Sequence, residues 1–368
     1  MGYFTIKGQH DMDRLWKENW DETKRHFNEW WNQRGMVLTV NGVVNQCPPR
    51  DGITPPAPTA DAERKYTDAA WLAQHRRHEL SQNRFVADGL PISDHYHFYN
   101  LLSHLLGAVP HFKEDTIEND PCVVDPESHP PFVFDPENRW WRNYEAVTRA
   151  DVAAGAGNYF GALPLLMNDL DTLCSLRGIE TLMMDFVDHP EWVRSSLAQI
   201  NAAFKEAYQR IYDIDKLEDG SSFCQTFQIW GPGKVMVLQS DASALLSPAM
   251  FDDFVIPHLV DLTTWLDHTL YHLDGVQALR HLDSLLAVKK LHAIQWMSGA
   301  GQPSHGDKSW YPLYQRILTA GKSVQICWIS QDEVEPLLDA IGTKGVYLLV
   351  NDVNTEKEYE RLLTLVGR

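Results

Sequence analysis

The sequence predicts an α/β fold, a (β/α)8 TIM barrel with an N-terminal helical extension, and three observations carry that expectation. Residues 268–301 read as a strand (269–273), a turn at Asp274-Gly275, a helix (276–288), a second strand (291–297) and a loop of small residues. That is a β–α–β unit, which needs a crossover and therefore builds parallel sheet. Short apolar strands then alternate with helical patterns along the chain, about eight times in all, the number that closes a barrel. No repeat at a solenoid period appears, and no low-complexity segment divides the chain. The expected division is an extension over residues 1–35 and a barrel over 36–368.

In chain order, residues 11–34 place Leu15, Trp16, Trp20, Phe27, Trp30 and Trp31 at helical spacing, an aromatic face for packing on the body. Residues 36–40 read as the first strand, and the proline-rich stretch 47–58 as irregular. A polar helix is expected over 61–83, and a short helix over 100–106 stopped by Gly107. Residues 109–144, rich in Pro, Asp and Trp, read as an insertion that could cover the body as a lid. A glycine-bearing strand is expected over 153–165, a helix from Asp169, an amphipathic helix over 190–212 and a strand over 223–229. Ser247-Pro248 opens a helix expected to run to 267, with serine as N-cap and proline at its first position. Residues 323–328 and 346–350 read as buried strands, each followed by a helix, at 333–340 and 356–365.

Composition narrows the partners. The 368 residues carry a formal charge of −18, which disfavours nucleic acid and anionic membranes but allows an anionic substrate in a locally basic pocket. Five cysteines without a CxxC spacing fit reduced thiols. The first residues lack an apolar signal core, and no run approaches membrane-spanning length, so a cytoplasmic protein is expected. A small-molecule substrate is the expected partner, and a homodimer is compatible with the sequence.

The candidate site follows from strand alternation. His272 and Asp274, two residues apart at a strand's C-terminal end, project to one face, where parallel α/β folds build their sites. An imidazole and a carboxylate so placed can share a metal, pass a proton or hydrogen-bond a ligand, or simply cap the following helix. Asp94, His95, His97 and Tyr99 cluster at another strand end, as metal ligands or as a polar pocket wall. Gly-Pro-Gly at 231–233 is a turn without the following Lys-Ser/Thr of a phosphate loop.

The segment SDASALLSPAMFDDFVIPHL, followed by LYHLDG and AIQWMSGAG, resembles the uroporphyrinogen decarboxylase superfamily, with its aspartate, Ser-Pro helix start, spaced phenylalanines and strand ending in histidine. Ile92-Ser93-Asp94 looks like that superfamily's second-strand aspartate, and residues 157–165 like its mid-barrel glycine strand. The resemblance implies a barrel enzyme that is either a decarboxylase or a corrinoid-linked methyltransferase. The decarboxylases resemble one another in an Arg-Gln-Ala-Gly-Arg segment that binds substrate carboxylates, whereas Val37-Leu-Thr-Val-Asn-Gly has no arginine. They also have a histidine after their last strand, where Val350-Asn-Asp-Val-Asn stands here. The methyltransferases bind zinc through His-x-Cys and a late cysteine. His272 matches the histidine, Asp274 stands in the first cysteine's place, and Cys327 lies one strand too early for the second.

The resulting expectation is methyl transfer from a small methylated or methoxylated donor to a corrinoid carried by a separate protein. His272, Asp274 and Asp94 are the expected catalytic residues, with His272 and Asp274 as ligands of a zinc ion. His97, Tyr159, Trp230, Asp241 and Gln295 are expected to line the substrate pocket. Two alternatives stay open: a porphyrinogen-type decarboxylase in which Asp94 holds pyrrole N–H groups, and a non-catalytic ligand-binding barrel.

Overall fold

The apolar runs MVLTV, VMVLQ, AIQWM, SVQICWI and VYLLV are too continuous for half-exposed strands and suit sheet that is covered on both faces. In the computed structural model, which describes residues 14–94 and 100–368 without the side chains of Asp51 and Asp94, each of these runs is a strand. In chain order the strands are β1 (Met36–Val40), β2 (Ile92–Asp94), β3 (Val109–Phe112), β4 (Ile117–Asp120), β5 (Phe160–Ala162) and β6 (Ser222–Cys224). There follow β7 (Ile229–Gly231), β8 (Val235–Gln239), β9 (His268–Asp274), β10 (Ala293–Met297), β11 (Ser323–Ile329) and β12 (Val346–Val350).

Six strands hydrogen-bond as one parallel sheet in the order β1-β12-β11-β10-β9-β8. β2 and β5 pair in parallel, and a parallel bridge from Leu163 to Cys224 carries that pair towards β6. β3–β4 and β6–β7 are antiparallel hairpins. Helices such as Pro190–Asp215, Tyr311–Thr319 and Gln331–Ile341 bury apolar stripes, giving a mixed α/β fold around one large core.

The junction of β1 with β12 joins the first and last strands of the described residues. Gly42 (φ +148°) lies so close to Val353 that a Cβ there would fall 2.2 Å from the Val353 carbonyl oxygen. Only glycine fits that crossing of backbones. Beside it, the fully buried Asp88 accepts from Leu38 N (2.9 Å), His26 Nδ1 (2.7 Å) and Arg368 Nη1 (2.7 Å). Burial would push this carboxyl up, but the His26 hydrogen bond and the Arg368 charge hold it below the usual range.

Several elements differ from the sequence expectation. The N-terminal helix is Trp20–Trp31, shorter than the aromatic pattern, because Leu15 and Trp16 lie in irregular chain before it. The polar helix splits into Ala62–Thr67 and Ala69–Ser81 at Asp68, whose carboxylate caps the second helix by accepting from Trp71 N. The expected strand at 153–165 is only β5; helix Arg139–Gly155 takes up its first residues and ends in left-handed Ala156, and irregular chain flanks the strand. The run 223–229 is a hairpin, not one strand, because Phe227 and Gln228 turn it in left-handed conformations (φ +59° and +50°). The helix expected to reach 267 breaks at Val255, ahead of Pro257, which cannot donate to a continuing helix. The proposed lid region carries the β3–β4 hairpin.

Candidate active site

The site is assembled by register. In a parallel sheet, residues opposite each other project to the same side. Gln239 of β8 pairs with His272 of β9, which pairs with Gln295 of β10, which pairs with Gln325 of β11. One layer of the sheet is therefore a row of three carboxamides and an imidazole. Two residues further on, beyond the C-terminal end of β8 and at that of β9, stand Asp241 and Asp274.

Asp241, His272 and Asp274 converge: one ligand atom from each lies within 4.8 Å of the others. His272 Nε2 is 4.0 Å from Asp241 Oδ1, and its Nδ1 makes a short hydrogen bond to Gln295 Oε1. With the Gln295 carbonyl accepting there, Nδ1 carries the ring proton and Nε2 presents a lone pair to the carboxylates. The imidazole is nearly buried, and desolvation lowers its pKa although Gln295 and the nearby carboxylates favour the protonated form. Phe227 stacks on the ring at 4.9 Å and shields that face from water.

Asp241 is held from behind by Asp171. The buried Asp171 carboxylate accepts from Asp241 N (2.9 Å), Ala242 N (3.0 Å) and Gln239 Nε2 (3.3 Å), while Gln239 Nε2 also reaches Asp241 Oδ2 (2.9 Å). Asn168 Oδ1 takes the Gln239 N–H at 2.9 Å. The Asp171 carboxyl is raised by burial against the pull of its backbone donors. Asp241 is pushed up to about 7 by desolvation, then by the charges of Asp171 and Asp274. Its side chain keeps 45 % exposure, so water screens part of that push. Three carboxylates and an imidazole in one small volume form a site in need of positive charge.

β11 changes register between Ile326 and Ile329. This bulge turns Trp328, left-handed at φ +55°, out to 45 % exposure, with its ring 6.4 Å from Phe227 and 6.2 Å from His305. Bulges of this kind beside strand ends re-aim side chains. Cys327 is buried behind it, its thiol pushed up to about 12, which makes it a poor thiolate ligand.

The structure thus gathers His272, Asp274, Asp241 and Gln295 from the residues expected for the site. His97 lies outside the described residues, as do His95, Tyr99 and the Asp94 side chain, although the Asp94 backbone ends β2 beside Ala162. Tyr159 is a correction. It is buried, donates to Asp151 (3.1 Å) and packs on Trp16 (5.7 Å) and Phe85, in a cluster apart from the main core. Trp230 is a second correction. Its strand runs antiparallel to β6, so it returns towards the start of β9: a Cβ on neighbouring Gly231 would lie 3.3 Å from His268, and the Trp230 ring packs on Trp20 and Phe27. The sequence reading missed Asp171, Gln239, Phe227 and Trp328. The run Asn168-Asp169-Leu170-Asp171 was the available signal, three short polar side chains opening a helix that they all prove too buried merely to cap.

The fold is similar to that of a solved methyltransferase from Methanosarcina mazei, with a TM-score of 0.60 and 11% identity, covering 94% of this chain and 98% of that one. At that identity the likeness is one of fold. No family model matches the chain, and no curated protein matches it. No helix among the described residues is long and apolar enough to cross a membrane.

Proposed function

We propose that this chain is a barrel methyltransferase of uroporphyrinogen decarboxylase-like architecture. In this reading the six-stranded sheet and the β2–β5 pair are arcs of one barrel, and Asp241, His272 and Asp274 stand at its mouth. The reaction moves a methyl group from a small methylated or methoxylated donor to a corrinoid on a separate protein in the cytoplasm. The observation that carries it is the convergence of those three side chains at the ends of adjacent parallel strands. The structural likeness to a methyltransferase supports it.

One imidazole nitrogen and two carboxylates form a donor set that suits zinc or a similar divalent ion, and the mutual repulsion that raises Asp241 is the condition a cation relieves. Bound there, such an ion would act as a Lewis acid on the donor's leaving heteroatom. The chain's own residues supply the rest. Gln295 fixes the His272 tautomer, Asp171 and Gln239 fix Asp241, and Phe227 excludes water from one face of the imidazole. Trp328 offers an exposed apolar surface beside the site for the donor's methyl-bearing portion.

The test is elemental analysis of the purified protein, joined to an assay with methoxylated donors and a reduced corrinoid acceptor. We expect a retained divalent cation that His272→Ala releases, together with loss of methyl transfer. Methyl transfer unaffected by His272→Ala would overturn the proposal, and so would conversion of uroporphyrinogen at about 1 per second or faster, an ordinary enzyme rate.

A further inference from the structure

A second site has the opposite electrostatic character and shares no residue with the acidic cluster. Arg14, Arg50 and Arg77 line a cavity of about 580 Å³ together with Trp16, Glu18 and Asn158. The cavity wall therefore carries three guanidinium groups and one carboxylate, in a protein of formal charge −18. Arg50 and Arg77 both lie over the Trp16 ring, with Cζ 5.2 Å and 5.6 Å from its centroid. Two like charges are thus gathered on one indole, yet among the described residues none of the three arginines has a carboxylate within salt-bridge distance. Arg77 donates to the Ala154 carbonyl, whereas Arg50 Nη1 is buried with no hydrogen-bond partner.

Such an arrangement is costly without an anion. A buried guanidinium N–H lacking an acceptor forfeits its hydration, and the neighbouring cations repel each other. The Trp16 ring offsets part of this through cation–π attraction, and holds the two planar forks in place. Rigid forks of this kind match the paired oxygens of a phosphate or carboxylate. The volume exceeds what a bare ion needs and falls within the range of small-molecule pockets.

We propose that this cavity binds the phosphate group of a small phosphorylated molecule, with Arg50 and Arg77 as its principal donors. Because bound metal also attracts phosphate, the site is read on protein treated with a chelator. Calorimetric titrations of the full chain with inorganic phosphate, ribose 5-phosphate and citrate, at matched ionic strength, distinguish the ligand sources. Saturable phosphate binding is expected, tighter for ribose 5-phosphate, undiminished by chelation and by His272→Ala. Arg50→Gln should weaken it about 10-fold, the loss of one charge-assisted hydrogen-bond pair, with partial recovery in Arg50→Lys. Arg77→Gln provides a second reading should either Arg50 variant fail to fold, as judged by circular dichroism. Absence of saturable binding, binding indifferent to both arginine substitutions, tighter binding of citrate than of either phosphate, or loss of binding on chelation would each overturn the proposal.

Discussion

The two parallel sets of strands differ in how firmly the backbone defines them. The six-stranded set has strands of five to seven residues, paired over five positions at β1–β12, β8–β9 and β9–β10, and both β9 and β10 are bonded on each side. β2 and β5 have three residues each, and β5 reaches the next strand through a single bridge. Asp241, His272, Asp274 and Gln295 all come from the first set or its immediate end. Precise placement of ligand atoms needs a rigid support, and the longer ladder supplies it.

The largest effect expected from this contrast is chemical. His272→Ala should lower methyl transfer by at least about 100-fold and release the cation, because it removes the one nitrogen ligand that the described residues give the cluster. Tyr159→Phe, beside the short pair, should leave both cation and turnover unchanged and lose about 1 kcal/mol from one buried hydrogen bond. Metal analysis, turnover and denaturant unfolding of the two variants test the assignment. Loss of the cation on Tyr159→Phe would break the contrast.

Backbone dynamics should show the same division. Amides of β9 to β12 should open only with global unfolding, whereas those of β2 and β5 should exchange at least about 10-fold faster, through local opening. Native-state hydrogen exchange measures this directly, and equal protection in both sets would show that side-chain packing compensates for the short ladders.

Asp171→Ala sharpens the comparison within the rigid set. Its carboxylate takes two backbone N–H groups of the turn that carries Asp241, so its removal leaves donors unpaired and should cost about 2–3 kcal/mol. Asp171→Asn keeps the shape and one acceptor oxygen, and should cost about half as much. Unfolding midpoints check the stability, and cation affinity checks whether Asp241 has lost its position.

This division also explains what the sequence could convey. Val346–Val350 and His268–Asp274 were legible because apolar runs with a polar end specify long strands. The run at β8 went unread as a strand, since five residues after Gly-Pro-Gly-Lys give too short a pattern, and with it went the register that brings Asp241 beside His272. Trp230 misled because an aromatic at a strand end does not reveal which way its strand runs. Asp171 acts through backbone amides some 70 residues away in sequence, and no spacing rule encodes that contact. The zinc expectation rested on His272 and Asp274; Asp241, expected only to line the pocket, joins them through the parallel pairing of β8 with β9.

The last effect concerns pH and lies outside the six-stranded set. His104, in helix Leu101–Leu105, is 1 % exposed, with Nε2 bonded to Asn119 at the β3–β4 hairpin. Burial lowers its pKa to about 4, the Asn119 bond opposing only in part. In the unfolded chain the imidazole titrates near its ordinary value of about 6.5. Between those values the unfolded state binds more protons than the folded one, so stability rises with pH across the window and falls as acid is added. His104 alone should account for a loss on the order of 2 kcal/mol between pH 6.5 and 4. Buried carboxylates also contribute to acid unfolding, so the readout is a difference: His104→Gln should flatten that limb relative to the parent, while midpoints above pH 7 shift by a constant amount. Parallel curves for variant and parent through the acid limb would show that His104 gains its proton at the same pH in both states, and would remove the acid-labile point from this part of the molecule.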